Sequence, residues 1–444
     1  MNKKIIPISI ALLVIASLVM TACGGPQATA PAAATSAPAA TSAPAATSAP
    51  AEKVTLTIWH NWGPDDAKGA PLQSIFKDFM AENPDIVIKD EVYVDADIPL
   101  KVETASTAKQ EPDLVFVQRV GSPFTWTDSG ITLPVNDYIK DWGLDGSFKE
   151  SALVEYTQAD GKIQAFPLEG YTWPIWYNKS VFEKAGVPLP TTTDELITAA
   201  KAIRAAGDQP VIASGIDDMG GYLFSLILES AMSDAEATQA FAKGDWTVPN
   251  AVKGVELFVK LRDAGVFVDG IEGIDFATGN TQFFGGTVAM SHFGAWSFGE
   301  APKELLPNVQ LGGFPLPEGS PRKAPVYFSG FGAKGVWITP NGAAKIEAVK
   351  RFVQFLFKPE NIARFVEQAG MTPPLKEVPV DASVLNPLFA QSLNLPAEVA
   401  IQPDLTMPGD LRPDYLRITQ EAFTPGTTAE KLLADLTALY KTDK

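Results

Sequence analysis

Apolar and polar residues alternate over residues 54–59 (VTLTIW), the period of a strand with one buried face. Just beyond, Leu72, Ile75, Phe76, Phe79 and Met80 recur at helical spacing, with Lys77, Asp78 and Glu82 on the other side. Asn83-Pro84 stops that helix. Residues 86–94 predict a second strand and residues 98–109 a second helix. Residues 113–117 (DLVFV) are apolar enough for a short strand buried on both faces. Strand, helix, strand, helix, strand implies right-handed crossovers and an α/β sheet.

The pattern resumes beyond residue 178. Residues 191–207 combine a threonine-rich N-terminal cap, a helical run and a glycine stop. A short strand (PVIAS) and two helices (GGYLFSLILES and AVKGVELFVKLRDAG) follow. Residues 287–291 (TVAMS) predict a strand that leads into Gly294-Ala295-Trp296, and residues 336–339 (VWIT) predict another. Two helices and a final amphipathic helix close the chain.

The N-terminal pattern is of another kind. Lys3 and Lys4 precede an apolar run from Ile5 to Val19, and Met20-Thr21-Ala22-Cys23 offers small residues for cleavage. Residues 1–22 read as a secretion signal. Its end resembles the bacterial lipobox, which implies lipidation at Cys23. Residues 23–52 form a Pro/Ala/Thr/Ser-rich tether in which Ala-Thr-Ser-Ala-Pro ends at Pro38, Pro44 and Pro50. It lacks the large apolar side chains that would offset the entropy of ordering. No second long apolar run follows. The expected location is extracytoplasmic, with the lipid as the only membrane attachment.

Composition narrows the chemistry. The chain has 444 residues and a formal charge of -17, which disfavours nucleic acid as a partner. The roughly 390 residues after the tether suffice for two domains. Cys23 is the single cysteine, so disulfides, thiolate metal sites and cysteine nucleophiles are excluded. His60 and His292 are the only histidines, and no Gly-x-Ser-x-Gly elbow accompanies them. No metal, cofactor or enzymatic activity is expected.

Several stretches occur in an order that resembles one family, the type-1 extracellular solute-binding proteins, receptors of sugar-importing ABC transporters. They are LTIWHNW, EPDLVFVQ, DGKIQAFPLEGYTWPIWYNKSVFEKAGVPLPTTTDEL, GGTVAMSHFGAW and VKRFVQFLFKPENIARFVEQAGMTPP. The resemblance implies a two-lobe periplasmic-binding-protein fold (type II-like), with discontinuous lobes joined by hinge strands. Lobe one would hold residues 53–168 and 286–326, and lobe two residues 169–285 and 327–444. Hinge strands would include Phe166-Pro167-Leu168 and the stretch from Phe328 to Gly330. The implied function is capture of a sugar or oligosaccharide between the lobes and delivery to membrane permease subunits, by a monomer. A polyamine or other polar solute on the same fold, or an extracellular glycan hydrolase, are the competing readings.

Sugar recognition calls for aromatic rings over C–H faces and planar polar groups around the hydroxyls. Residues 59–66 (WHNWGPDD) lie where a strand ends, the edge at which open α/β sheets bind ligands. They make Trp62, His60, Asn61, Asp65 and Asp66 candidates. Tyr171 and Trp173, in the aromatic segment 169–179, occupy the region where relatives place a stacking ring. Trp296 matches the family's cleft tryptophan. Gln118 follows a strand end, and the glycine-rich stretch 329–335 nominates Gly330 and Phe331, where backbone amides would reach the ligand. Arg412 lies where relatives place late cleft residues. Trp126, Trp142, Trp246 and Trp337 are assigned to packing.

Overall fold

The computed structural model describes residues 53–212, 214–403 and 406–441. The expected signal, Cys23 and the tether lie outside the described residues. Ten strands are present among the described residues: β1 Val54–His60, β2 Ile86–Val92, β3 Leu114–Val117, β4 Phe166–Trp173, β5 Ile175–Asn178, β6 Gln209–Ile212, β7 Val288–His292, β8 Val309–Gly312, β9 Val326–Ile338 and β10 Glu398–Ala400. They form two sheets. The first runs β10-β9-β3-β1-β2, with β4 also paired to β9, and the second runs β6-β7-β5-β8.

In the first sheet β1 pairs in parallel with both β2 and β3. Its alternation buries Leu56, Ile58 and His60. The helix Gly69–Glu82 buries Leu72, Ile75, Phe76 and Phe79. Its partners come from late in the chain. Phe352, on the helix Ile346–Leu356, lies 5.7 Å from Phe76 and 5.3 Å from Phe79 between ring centroids. Arg364, on the helix Pro359–Ala369, bonds Asp78 at 2.7 Å.

The second sheet is contacted by the helices Lys179–Ala185, Thr193–Ala205, Phe276–Phe284 and Pro387–Ser392, and a further group of three helices, Asp218–Glu229, Pro249–Asp263 and Arg412–Phe423, packs together. Phe224, Phe258 and Phe423 join them, with centroids 4.8 Å and 5.1 Å apart. Arg262 fastens the chain after the last of these helices, donating to the carbonyls of Ala422 (2.8 Å) and Thr427 (2.7 Å).

The assignment of chain segments to the sheets corrects the expected lobes. Residues 286–326 were expected beside the first sheet. β7 instead inserts between β6 and β5, and β8 pairs with β5, because both strands complete the second sheet's buried face. Residues 340–369 were expected with the second lobe, yet their apolar faces cover the helix Gly69–Glu82 of the first. β4 extends to Trp173, past the expected boundary at 168/169.

β4 and β9 pair antiparallel as a ribbon that passes from one sheet toward the other. Phe166 faces Val336 at one end and Trp173 faces Phe328 at the other. Both expected hinge stretches therefore lie in this ribbon. The pairing shifts register between Pro167 and Glu169 and again between Glu169 and Tyr171. Those irregularities free backbone groups of β9 for side-chain partners.

The cap expected near Thr191 forms on the helix Thr193–Ala205. Thr192 Oγ1 accepts the Glu195 N–H, and the Glu195 carboxylate accepts the Thr192 N–H at 3.1 Å. Thr192→Ala is expected to lower stability by about 1 kcal/mol, read from the urea midpoint. An unchanged midpoint would show that this cap contributes nothing.

Candidate ligand-binding cleft

β1, β2 and β3 end at the same edge of the first sheet, and their following loops open onto a cavity of ≈ 310 Å³. The loop after β1 brings Asn61, Trp62, Asp66 and Lys68. Asp95 follows β2, and Gln118 and Val120 follow β3. The ribbon contributes Glu169, Tyr171 and Trp173 from β4 and Gly332, Ala333 and Lys334 from β9. Facing them are Met219 and Tyr222, on the helix Asp218–Glu229, and Trp296, in the turn after β7. Gln402, just past β10, completes the lining.

Five aromatic side chains therefore border one space. Tyr171 and Trp173 share a face of β4 because side chains two apart point the same way. Trp173 is 3% exposed and wedged among rings: Tyr222 at 4.3 Å, Trp296 at 4.9 Å and His292 at 5.0 Å. The His292 ring lies within 10° of parallel to it. Burial pushes the His292 pKa down to about 3, so a neutral imidazole backs this indole. Trp296 is 36% exposed, the most open of the five rings. Trp62 is 1% exposed and packs against Phe116 and Phe365. Asn61 Oδ1 and Trp62 Nε1 are buried with no protein hydrogen-bond partner among the described residues. A ligand hydroxyl would satisfy such atoms.

The polar lining is charged and internally paired. Lys68 Nζ lies 3.0 Å from Glu169 Oε1 and 3.9 Å from Asp66 Oδ1. Burial disfavours the Lys68 ammonium, but Glu169 and Asp66 outweigh it and hold the pKa above the ordinary lysine value. Lys334 Nζ reaches both Asp95 oxygens, at 2.7 and 2.8 Å. The Tyr171 hydroxyl donates to Gln402 Oε1.

Of the residues nominated from sequence, Trp62, Asn61, Asp66, Gln118, Tyr171, Trp173 and Trp296 line this cavity. Five others do not. His60 turns into the core, fully buried. Its Nδ1 accepts the Trp62 N–H at 3.2 Å, which leaves the ring proton on Nε2, 3.2 Å from Asp90 Oδ2. It shapes the loop from behind. Asp65 is exposed, outside the lining. Gly330 faces Glu155 and the Tyr171 hydroxyl so closely that a Cβ there would come within 2.7 Å of each. Phe331 donates its N–H to Glu155 Oε2 at 2.7 Å and lays its ring over Gly170. The cleft side of that strand is the next three residues. Arg412 stands behind Tyr222, with Nη2 3.4 Å from the tyrosine hydroxyl.

Sequence reasoning did not nominate Lys68, Asp95, Lys334, Tyr222, Met219 or Gln402. Lys334 closes the glycine-rich stretch 329–335, and Lys68 follows the Gly-Pro turn after β1. Nothing in the local pattern marks Gln402. Asp217 caps the helix Asp218–Glu229 rather than lining the cavity, accepting the N–H groups of Met219 (3.0 Å) and Phe276 (2.8 Å).

Comparison with known proteins gives one answer on family. Residues 63–363 match the family model described as bacterial extracellular solute-binding protein. A probable secreted solute-binding lipoprotein from Streptomyces coelicolor has a similar crystal structure, with TM-score 0.79 and 31% identity over 88% of this chain and 100% of that one. The multiple sugar-binding protein of Streptococcus mutans is 25% identical over 60% of this chain and 63% of its own length. The sn-glycerol-3-phosphate-binding periplasmic protein of Salmonella typhimurium is 25% identical over 72% of this chain and 74% of its own. With two lobes, a crossing ribbon and a cleft between them, the chain belongs to the bacterial extracellular solute-binding protein family.

Proposed function

We propose that this protein is the extracytoplasmic substrate-binding component of an ABC importer, and that it captures a sugar or oligosaccharide in the cleft and delivers it to membrane permease subunits. One observation carries the reading: five aromatic side chains from both lobes and the ribbon border a single ≈ 310 Å³ space with amides and charged groups set between them. Rings of this kind cover the C–H faces of a pyranose, and the polar groups meet its hydroxyls. Ligand touching Trp62 on one lobe and Trp296 on the other favours the state in which the lobes meet. Binding is the whole task, and no residue of the cleft is assigned a catalytic role. The lipid on Cys23 would hold a monomeric receptor near its permease.

The polyamine reading loses its footing at the same cleft. A cationic ligand needs free carboxylates; those of Glu169 and Asp95 are bonded to Lys68 and Lys334, and the third, Asp66, lies 3.9 Å from the Lys68 ammonium.

The test is mass spectrometry of ligand released from natively purified protein, followed by calorimetric titration with that compound. A saccharide bound at one per chain and recovered unchanged is the expected result. A non-carbohydrate ligand, or turnover of the saccharide, would overturn the proposal.

A further inference from the structure

The two lysine–carboxylate pairs in the cleft are parts of one array. Lys68, from the loop after β1, reaches Glu169 on β4 at 3.0 Å. Glu169 is the cross-strand partner of Lys334 on β9. Lys334 in turn grips both oxygens of Asp95, which follows β2. Asp66 stands 3.9 Å from the Lys68 ammonium at the other end. The order along the cleft floor is acid, base, acid, base, acid. All five residues line the cavity, and Lys334 is 5% exposed.

We propose that this array is the specificity-determining element of the cleft and that it selects uncharged saccharides over anionic ones such as sugar phosphates, glycerol phosphate and uronates. The inference rests on the sugar reading and refines it. An anionic ligand needs an available cation, and both ammonium groups here already hold carboxylates. To use Lys334 an anionic ligand must either displace Asp95, leaving a carboxylate unpaired in a half-buried site, or share the ammonium with Asp95 at the cost of like-charge repulsion. The lining also carries three carboxylates against two ammonium groups, so the local field opposes an incoming anion. A neutral sugar meets none of these costs. Each hydroxyl donates and accepts, so it meets the remaining lone pairs of a carboxylate and the remaining N–H of an ammonium while the pair stays intact. Alternating acceptors and donors along the floor suit a row of neighbouring hydroxyls. Family membership leaves the choice open, because one relative is named for sugars and another for glycerol phosphate at equal identity.

The experiment titrates ligand-free protein with charge-paired probes: glucose, maltotriose and diacetylchitobiose against glucose 6-phosphate, sn-glycerol 3-phosphate and galacturonate. Wild-type protein is expected to bind its preferred neutral probe at least roughly 100-fold more tightly than any anionic one, the effect of a few kcal/mol of like-charge opposition. Asp95→Asn and Glu169→Gln each release one ammonium. Each is expected to narrow that gap by about tenfold, and two variants on separate pairs guard against one failing to fold. An anionic probe bound as tightly as the neutral ones by wild-type protein would overturn the proposal and leave the two-lobe receptor standing. A gap unchanged in both variants would also overturn it, since discrimination would then lie elsewhere. If no carbohydrate of either kind binds, the sugar reading falls and this proposal falls with it.

Discussion

Trp173→Ala is expected to weaken saccharide binding by at least roughly 100-fold and to lower stability by about 3–5 kcal/mol. Both effects follow from its position. The indole is 3% exposed, yet it borders the cavity. It contacts Tyr222 and Trp296 on the far side of the cleft, His292 of the second sheet and Phe328 of the ribbon. Truncation opens a hole among four rings that cannot collapse together, and it removes the surface on which those rings align. Trp296→Ala separates the two effects. That side chain is 36% exposed and packs chiefly on Trp173, so its loss is expected to cost about 1 kcal/mol or less. Its loss should still weaken binding by about 30-fold, the effect of removing one interfacial aromatic anchor. Urea denaturation and calorimetric titration of both variants, with the neutral probe that binds wild-type protein, read the two quantities independently. If Trp296→Ala binds as wild type does, the cleft does not hold its ligand by aromatic stacking.

These side chains were legible in the sequence for a physical reason. A strand that ends in an aromatic beside a glycine turn announces a ring at a sheet edge, as Trp62 does, whereas Trp296 was legible through its match to the family's cleft tryptophan. Tyr171 and Trp173 were legible through the density of aromatics in segment 169–179 and its resemblance to the family's stacking region, and the period of two in β4 explains why they share a face. The first crossovers were legible because β1, the helix Gly69–Glu82 and β3 each carry a clean pattern. What stayed hidden is what periodicity does not encode. A buried strand such as β7 shows that it is covered, but its residues do not say by which sheet, so its lobe was misassigned. The amphipathic helix Ile346–Leu356 shows an apolar face without naming the Phe76 and Phe79 side chains that fill it. Charged residues hide for a related reason. Lys68 and Lys334 look like solvated side chains until the ribbon sets Glu169 opposite Lys334 and the loop after β2 turns Asp95 toward it. His60 misled in the opposite sense. It sits between two tryptophans at a strand end, but the strand's alternation sends its ring inward with Leu56 and Ile58.

Glu155 provides the second large effect, a loss of stability as pH rises. Its carboxyl group lies at the end of the helix Glu150–Tyr156, against the part of β9 where pairing with β4 is irregular. Burial pushes its pKa up to about 7 from an ordinary 4.5, against the opposing pull of the Phe331 and Gly332 N–H groups and the Arg119 guanidinium. Other titratable groups nearby are Tyr156, which adds to the field at Arg119, Tyr171, whose hydroxyl borders Gly330 with Glu155, and Lys149, 5.4 Å from the Phe331 ring. A carboxyl group whose folded pKa exceeds its unfolded value binds its proton more tightly in the folded state. Its contribution to stability is complete below about pH 4.5 and is lost as pH rises through 7. Between pH 5 and pH 8 wild-type protein is therefore expected to lose about 2 kcal/mol relative to Glu155→Gln, with allowance for the solvent that still reaches the group. The amide keeps an oxygen for the Phe331 N–H and carries no charge at either pH, so subtracting its profile removes the titration of every other group. Urea unfolding of both proteins at the two pH values measures the difference, and parallel profiles would show that Glu155 ionises as a solvated carboxyl does. Glu155 bonds β9, the strand that also carries Gly332 and Lys334 into the cleft. Among the described residues Glu155 is the acid whose carboxylate accepts a backbone N–H in that ribbon's irregular stretch, and the cost of charging it is desolvation.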